Sequence, residues 1–136
     1  MRTILFLAMA LTASIVCAQN KLTVVVDGIE KSNGKALVAV YDSINYLKKP
    51  LYYGLAKVEQ GEEEVRVVIE NVATGKYAVS LFHDENDNNK LDTGSYGRPI
   101  EKCGFSNNAR INMGPPTFQE CSINVEEDTK INITLL

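Results

Sequence analysis

The sequence lacks any excess of positive charge. Its 136 residues include 14 Lys and Arg against 17 Asp and Glu, for a formal net charge of -3. A chain with this charge has no basic field to attract phosphate backbones, so nucleic acid is not expected as a partner. The sequence also has one histidine and no Cys-x-x-Cys pair, which excludes the usual ligand spacing of a zinc site.

Long hydrophobic runs are missing as well. The apolar stretch over residues 4–18 is interrupted by hydroxyl side chains and is shorter than the ~20 residues that a membrane-spanning helix needs. Arg2 precedes this stretch, and Val16-Cys17-Ala18 places small residues before Gln19. These features predict a secretory signal peptide that is cleaved after residue 18.

The rest of the composition is that of one folded domain. Hydrophobic residues make up 45% and charged residues 23%, which is a globular balance, and the length suits a single core. We therefore interpret residues 19–136 as one exported domain without a stable membrane span, either periplasmic, outer-membrane-associated or secreted. Lipid attachment at Cys17 is the alternative, but Val16 is not the small residue that normally precedes a lipidated cysteine.

Two cysteines, Cys103 and Cys121, would remain after cleavage, in a compartment where disulfides persist. We expect them to be bonded to each other, which would stabilise the domain by about 3 kcal/mol on the loop-closure model. Two buried thiols are the alternative. A bonded pair would also leave the chain without a thiol nucleophile.

Apolar residues that alternate with period two are the main pattern of the mature chain. They predict strands over residues 22–27, 36–41, 65–70, 77–82, 121–126 and 131–135. We expect consecutive strands to pair as three antiparallel hairpins, the first turning at Ser32-Asn33-Gly34. No window of eleven residues keeps a helical period, so helix is limited to a turn or two near residues 43–53. The sequence therefore predicts an all-β fold, an antiparallel β-sandwich of about seven strands.

One loop contains most of the metal-binding side chains. Residues 83–92 include four carboxylates and three carboxamides. The side chains of Asp84, Asn86, Asn88 and Asp92 and the carbonyl of Lys90 have the spacing of positions 1, 3, 5, 9 and 7 of a calcium loop. Alternate oxygen ligands in a tight loop can converge on one hard cation. The sequence therefore predicts a calcium site here.

This loop is not an EF-hand. Position 12 is Ser95 instead of a bidentate Glu, and nothing indicates an exiting helix. At position 6, Asn89 can adopt the positive φ that such a turn needs. We expect weak affinity, with a Kd on the order of 10⁻⁴ to 10⁻³ M, as in extracellular modules. The alternative is a metal-free turn in which Asp and Asn side chains cap their own backbone amides.

The residues that could support catalysis are poorly placed for it. The single histidine, His83, shares the parity of the apolar residues of its strand, which indicates a structural role. Ser80 lies on the opposite face, so the two cannot form a nucleophile and base pair. Asp84 and Asp92 would need an apolar wall to act as a glycosidase acid and base. We therefore expect a protein that is not an enzyme.

Aromatic residues in irregular segments are the binding candidates. Tyr96 and Phe105 lie in the unpatterned stretch 84–119, and residues 46–53 contain three more tyrosines. Exposed aromatics on a rigid β scaffold can stack on sugar rings or anchor a protein partner. The alternative is that they only cover a sheet edge and pack the loops.

An ordered series of short motifs resembles a known family. The motifs are Asn71–Val79, His83–Asn86 with Asn88, Lys90, Leu91 and Asp92, then Gly97–Pro99 with Glu101, Gly104–Asn108 and Gly114–Phe118. Together they resemble exported bacterial proteins of domain-of-unknown-function family 2141 over roughly residues 22–136. The resemblance implies a secreted or periplasmic β-sandwich, transthyretin-like or immunoglobulin-like, and no known reaction.

The leading functional hypothesis is an exported, non-enzymatic module that calcium stabilises. Its loop face would bind a glycan or another envelope protein. The first alternative is a metal-free structural or adhesive surface protein, and the second is a small hydrolase.

Overall fold

The computed structural model describes residues 18–30 and 33–136. Of the predicted signal peptide, only Ala18 falls among them, and residues 1–17 lie outside the described residues. In the described ranges no helix is both long and apolar enough to cross a membrane.

The described residues form eight strands and very little helix. The strands are β1 (Gln19–Asp27), β2 (Lys35–Tyr41), β3 (Tyr52–Lys57), β4 (Val65–Ala73), β5 (Gly75–Asp84), β6 (Cys103–Phe105), β7 (Ser122–Val125) and β8 (Thr129–Thr134). The described part of the chain also contains a single helical turn, α1 (Phe118–Cys121), and two 3₁₀ turns, Ser95–Gly97 and Ser106–Asn108. The predicted all-β class is confirmed.

Two sheets pack face to face as a sandwich. The smaller sheet has the order β4-β1-β8, and the larger has the order β3-β2-β5-β6, with β7 also paired to β5. All neighbours are antiparallel except β1 and β8, which run parallel. Alternate residues of each strand fill the core between the sheets, as Tyr77, Val79 and Leu81 do on β5. The residues between them face away from the core, and those of the larger sheet form the floor of the site described below.

The predicted strands are largely present, but the three predicted hairpins are wrong. β1 pairs with β4 and β8 instead of β2, β4 does not pair with β5, and β7 does not pair with β8. Each of these three links crosses from one sheet to the other. Period-two alternation determines which face of a strand is buried and carries no information about its neighbour. Among the described strands, the consecutive pairs that are hydrogen-bonded are β2 with β3 and, across a longer connection, β5 with β6. β3 was not predicted, and only its first two residues fall in 43–53, where we expected at most a turn or two of helix.

A second, smaller core lies on the outer side of the larger sheet. Ala78, Phe105 and Cys121 are buried there, with Tyr46 and Phe118 packed against them. The hydroxyl of Ser106, which is fully buried, accepts the Val79 N–H at 2.9 Å and donates to the Cys121 carbonyl. This cluster fastens the long segment after β6 to the sheet.

The structure corrects the predicted disulfide, because Cys103 and Cys121 are both free, buried thiols. Cys103 is paired with Phe82, whereas Cys121 directly precedes Ser122, which is paired with Ala78. Extending this antiparallel register by one residue places Cys121 opposite Val79, three residues from Phe82 along β5. Three residues of a strand span roughly 10 Å, and a disulfide tolerates a Cα separation of no more than ~7 Å. Burial raises the pKa of both thiols above the ordinary value, so they stay protonated and poorly nucleophilic.

Candidate functional site

The acidic loop begins where β5 leaves the sheet at Asp84. The Asp84 carboxylate is fully buried and accepts the backbone N–H groups of Asn88 at 3.1 Å and Asn89 at 2.8 Å. Asn89 has a φ of 61° and Asp87 a φ of 57°, so the expected positive φ at position 6 is confirmed. The chain thus wraps around the carboxylate at position 1.

Three of the proposed ligand side chains meet above this turn. The Asn86 amide donates to Asp92 Oδ2 at 2.7 Å, and the Asn88 amide donates to Asp92 Oδ1 at 2.9 Å. Lys90 joins the turn through its N–H, which donates to Asn88 Oδ1 at 2.9 Å. The side chains at positions 3, 5 and 9 therefore meet through hydrogen bonds. The Asn86 and Asn88 oxygens accept the N–H groups of Asn88 and Lys90, as in the metal-free alternative, and both amides would have to rotate to direct their oxygens to a cation.

The donor set is poor in charged ligands. Within the described residues no group of three or more His, Cys, Asp or Glu side chains is arranged to hold a metal ion. The loop would have to rely on amide and backbone oxygens beside Asp84 and Asp92. If a cation binds here, such a mixture would favour a hard one such as calcium, with weak affinity.

Two residues outside the predicted ligand set also contact this loop. Glu101, which is buried, accepts the Glu85 N–H at 3.0 Å with one carboxylate oxygen and the Asp92 N–H at 3.1 Å with the other. It therefore closes the loop at both ends. Lys35 on β2 places its Nζ 3.9 Å from Asp84 Oδ2 and 3.6 Å from Asp87 Oδ1. The motif series included Glu101 without a role, and no local pattern marks Lys35, because pairing of β2 with β5 brings it to the loop.

His83 lies on the core side of β5, as the parity predicted. It is 1% exposed, and its Nε2 lies 2.6 Å from the Asn33 carbonyl oxygen. Ser80 lies on the other face of the strand, where it lines a cavity. The structure does not bring the two together.

The outer face of the larger sheet forms the floor of a groove of about 1390 Å³. The floor consists of outward-facing residues of β2, β3, β5 and β6. These are Leu37, Ala39, Tyr41, Tyr53, Leu55, Ser80, Phe82, Cys103 and Phe105. The walls come from Leu47, from residues 96–99 and from residues 111–115, together with Asn89 and Leu91 of the acidic loop.

Both aromatic binding candidates line this groove. Phe105 is buried in the floor, whereas Tyr96 stands at the rim with 101% relative exposure. Met113, at 105%, is as exposed as Tyr96. Two of the other tyrosines that the sequence singled out have different roles. The Tyr46 hydroxyl donates to the Pro116 carbonyl at 2.6 Å and packs a loop, whereas Tyr53 is exposed in the groove.

The acidic loop and the groove wall are one continuous structure. From Asp92 the chain forms a small hairpin in which the Ile100 N–H donates to the Asp92 carbonyl at 2.9 Å, and the Gly94 N–H donates to the Arg98 carbonyl at 2.8 Å. Thr93 and Pro99 form a bridge between its arms. This wall hairpin, residues 92–100, carries Tyr96 and Arg98. Any ligand of Asp92 therefore acts on the base of the groove wall.

Comparison with known proteins identifies the chain at family level. A family model described as an uncharacterized protein conserved in bacteria, DUF2141, matches residues 24–133. No curated protein and no solved structure matches the chain. The matched region contains seven of the eight strands in full or in large part, the acidic loop and every wall of the groove, and the chain belongs to the bacterial family DUF2141.

Proposed function

We propose that this protein is an exported, non-catalytic binding module that holds an apolar ligand in its groove. The groove itself is the observation that supports this function: a space of about 1390 Å³ whose floor and walls are mainly aliphatic and aromatic. Sites for small molecules are usually concave, mostly apolar and ~300–1000 Å³ in volume. This groove can hold an elongated ligand.

The exposed apolar surface supports binding over a purely structural role. Leu55 and Ile111 line the groove and are solvent-exposed, as are Tyr53, Tyr96 and Met113. Exposing an apolar patch of this kind to water costs free energy, and in folded proteins such a patch usually marks a binding surface. A glycan suits the groove less well, because the polar side chains in its lining are few.

The nucleophile and base candidates do not support catalysis. The Cys103 thiol in the groove floor has a raised pKa because it is buried, and His83 lies on the opposite face of the sheet from Ser80. An activated nucleophile needs a base within hydrogen-bond reach. The groove is therefore proposed as a binding surface.

The acidic loop is proposed to bind calcium weakly and to hold the wall hairpin in place. The meeting of Asn86, Asn88 and Asp92 side chains at one point supports this role. With calcium bound, the Asp92 carboxylate would gain a contact to the ion, in addition to the hydrogen bonds that Asp92 already makes with Glu101 and Ile100. Calcium would then act on the groove through the backbone of residues 92–100.

A neutral apolar dye is expected to bind in the groove. Nile red fluorescence should rise on titration with the protein, and Leu55→Ser should weaken the dye's affinity by about fivefold, because the variant loses roughly 1 kcal/mol of apolar contact. Val68→Ser is the matched control, since Val68 is an exposed aliphatic on β4 of the other sheet. Absence of dye binding, or an equal loss of dye affinity in both variants, would refute the groove as the binding site.

Calcium is expected to raise the melting temperature. At calcium on the order of 10 mM, a Kd of ~10⁻⁴ to 10⁻³ M corresponds to about 1.4–2.7 kcal/mol of added stability and to a shift of roughly 4–10 °C. Asp92→Asn should abolish most of the shift. Asp87→Asn removes the same charge from a non-ligand position of the same loop and should keep it. Superimposable melting curves in calcium and in chelator would refute the calcium role.

A further inference from the structure

The charge of the groove differs from the charge of the chain. The protein is acidic, with 17 Asp and Glu against 14 Lys and Arg. Among the described residues that line the groove there is no Asp, Glu or Lys, and Arg98 is the one charged side chain. A single cation in an apolar groove is complementary to a ligand with one anionic group.

Arg98 is available for such a ligand. Among the described residues it has no carboxylate within 4.0 Å, whereas Arg66 lies 3.6 Å from Glu64 and Lys102 lies 2.6 Å from Glu30. The Arg98 backbone is held in the wall hairpin by the bond from Gly94, so the side chain starts from a defined point on the rim. A guanidinium stays charged at all working pH values and can bind a carboxylate through two parallel hydrogen bonds.

The remaining groups of the groove favour a hydrocarbon chain for the rest of the ligand. The floor beyond the rim is formed by residues such as Leu37, Ala39, Leu55 and Phe82, and Ile111 and Met113 stand on the opposite wall. Apolar area of this kind contributes through the hydrophobic effect and has no directional requirement. A sugar or a polar peptide would leave most of its hydrogen-bonding groups unpaired against these side chains.

We infer that the ligand of the groove is a fatty acid, with its carboxylate on Arg98 and its acyl chain along the outer face of the larger sheet. This inference rests on the proposed binding function of the groove. It adds the chemical class of the ligand and a specificity-determining residue. Because the Arg98 guanidinium at the rim attracts the carboxylate, the groove should bind a fatty acid more tightly than a neutral alcohol of the same chain length.

The test compares three ligands with the same hydrocarbon chain, measured by displacement of Nile red from the full protein. Dodecanoate is expected to bind about tenfold more tightly than dodecanol, a difference typical of one charge-assisted contact, and dodecylamine should bind no better than dodecanol. Arg98→Gln should reduce the affinity for dodecanoate to that for dodecanol. Arg66→Gln, which removes the same charge on the other sheet, should leave the tenfold preference intact.

Two results would overturn the fatty-acid assignment while keeping the groove as a binding site. One is equal affinity for dodecanoate and dodecanol in the unmodified protein. The other is binding to phosphatidylglycerol vesicles without binding to monomeric dodecanoate, which would assign the charge preference to a membrane surface. If neither the dye nor any of the three ligands binds, the proposed function itself fails.

Discussion

Gly34→Ala is expected to lower the free energy of unfolding by about 3 kcal/mol or more. Gly34 has a φ of +72°, and an added Cβ would overlap the Asp84 carbonyl and lie 2.8 Å from Glu85 Cα. The left-handed backbone costs a residue with a side chain about 1–2 kcal/mol, and forcing a methyl group against fixed backbone adds about 1–3 kcal/mol. Because the clash is at the start of the acidic loop, calcium binding should weaken as well. Chemical denaturation with and without calcium measures both effects.

Gly61→Ala is the control that separates backbone conformation from steric overlap. Gly61 also has a positive φ, of +85°, but an added Cβ would meet no atom of the described residues within 4 Å. Its cost should be only the backbone component, about 1–2 kcal/mol. Equal destabilisation in the two variants would show that the close approach of Gly34 to Asp84 has no energetic importance.

Asp84→Ala is expected to destabilise the protein by about 3 kcal/mol. The substitution leaves the N–H groups of Asn88 and Asn89 without their acceptor and removes a carboxylate next to Lys35, whose side chain is only 16% exposed. Losing one partner of a buried, hydrogen-bonded charge typically costs about 3–5 kcal/mol, and the partial exposure of Lys35 places the estimate at the lower end. Denaturant unfolding measures the loss directly.

Asp87→Ala is the matched comparison for Asp84→Ala. Asp87 is a second carboxylate near the same ammonium group, at 3.6 Å, but its side chain is 65% exposed. Surface ion pairs contribute about 0–1 kcal/mol, so this variant should unfold almost as the unmodified protein does. If Asp87→Ala were the more damaging change, then burial of Asp84 would not be what organises the loop.

The strands could be located from sequence because their residues face two different environments. One face of a strand is buried and the other faces water, so apolar and polar residues alternate. On β4, Val65, Val67 and Ile69 are buried, and Arg66 and Glu70 are exposed. Which strands pair with one another could not be predicted from this alternation. β1 pairs with β4 and β8, both distant in sequence, because the links β1–β2, β4–β5 and β7–β8 each cross from one sheet to the other.

The acidic loop shows the same division between local and distant information. Its ligand spacing and the positive φ of Asn89 depend on residues within one turn, and both could be predicted. Lys35 reaches the loop because β2 pairs with β5, and Glu101 reaches it from the segment that follows the loop. A sequence pattern over a few residues cannot predict either contact. The disulfide prediction was wrong for a related reason: cysteine count is a property of the sequence, whereas Cα separation depends on register.

The sequence alone determined which residues are buried, where the chain turns and which oxygen-bearing side chains lie together, because these follow from interactions over a few residues. The tertiary structure alone decided that Tyr96, Arg98 and Met113 border one apolar groove with Phe105 in its floor. Phe105 and Met113 reach the groove because β6 pairs with β5 and the segment after β6 folds back over the outer face of the sheet. Tyr96 and Arg98 reach it on the wall hairpin, which precedes β6. A groove of this kind is a property of paired strands, and it exists only after distant parts of the chain have come into register.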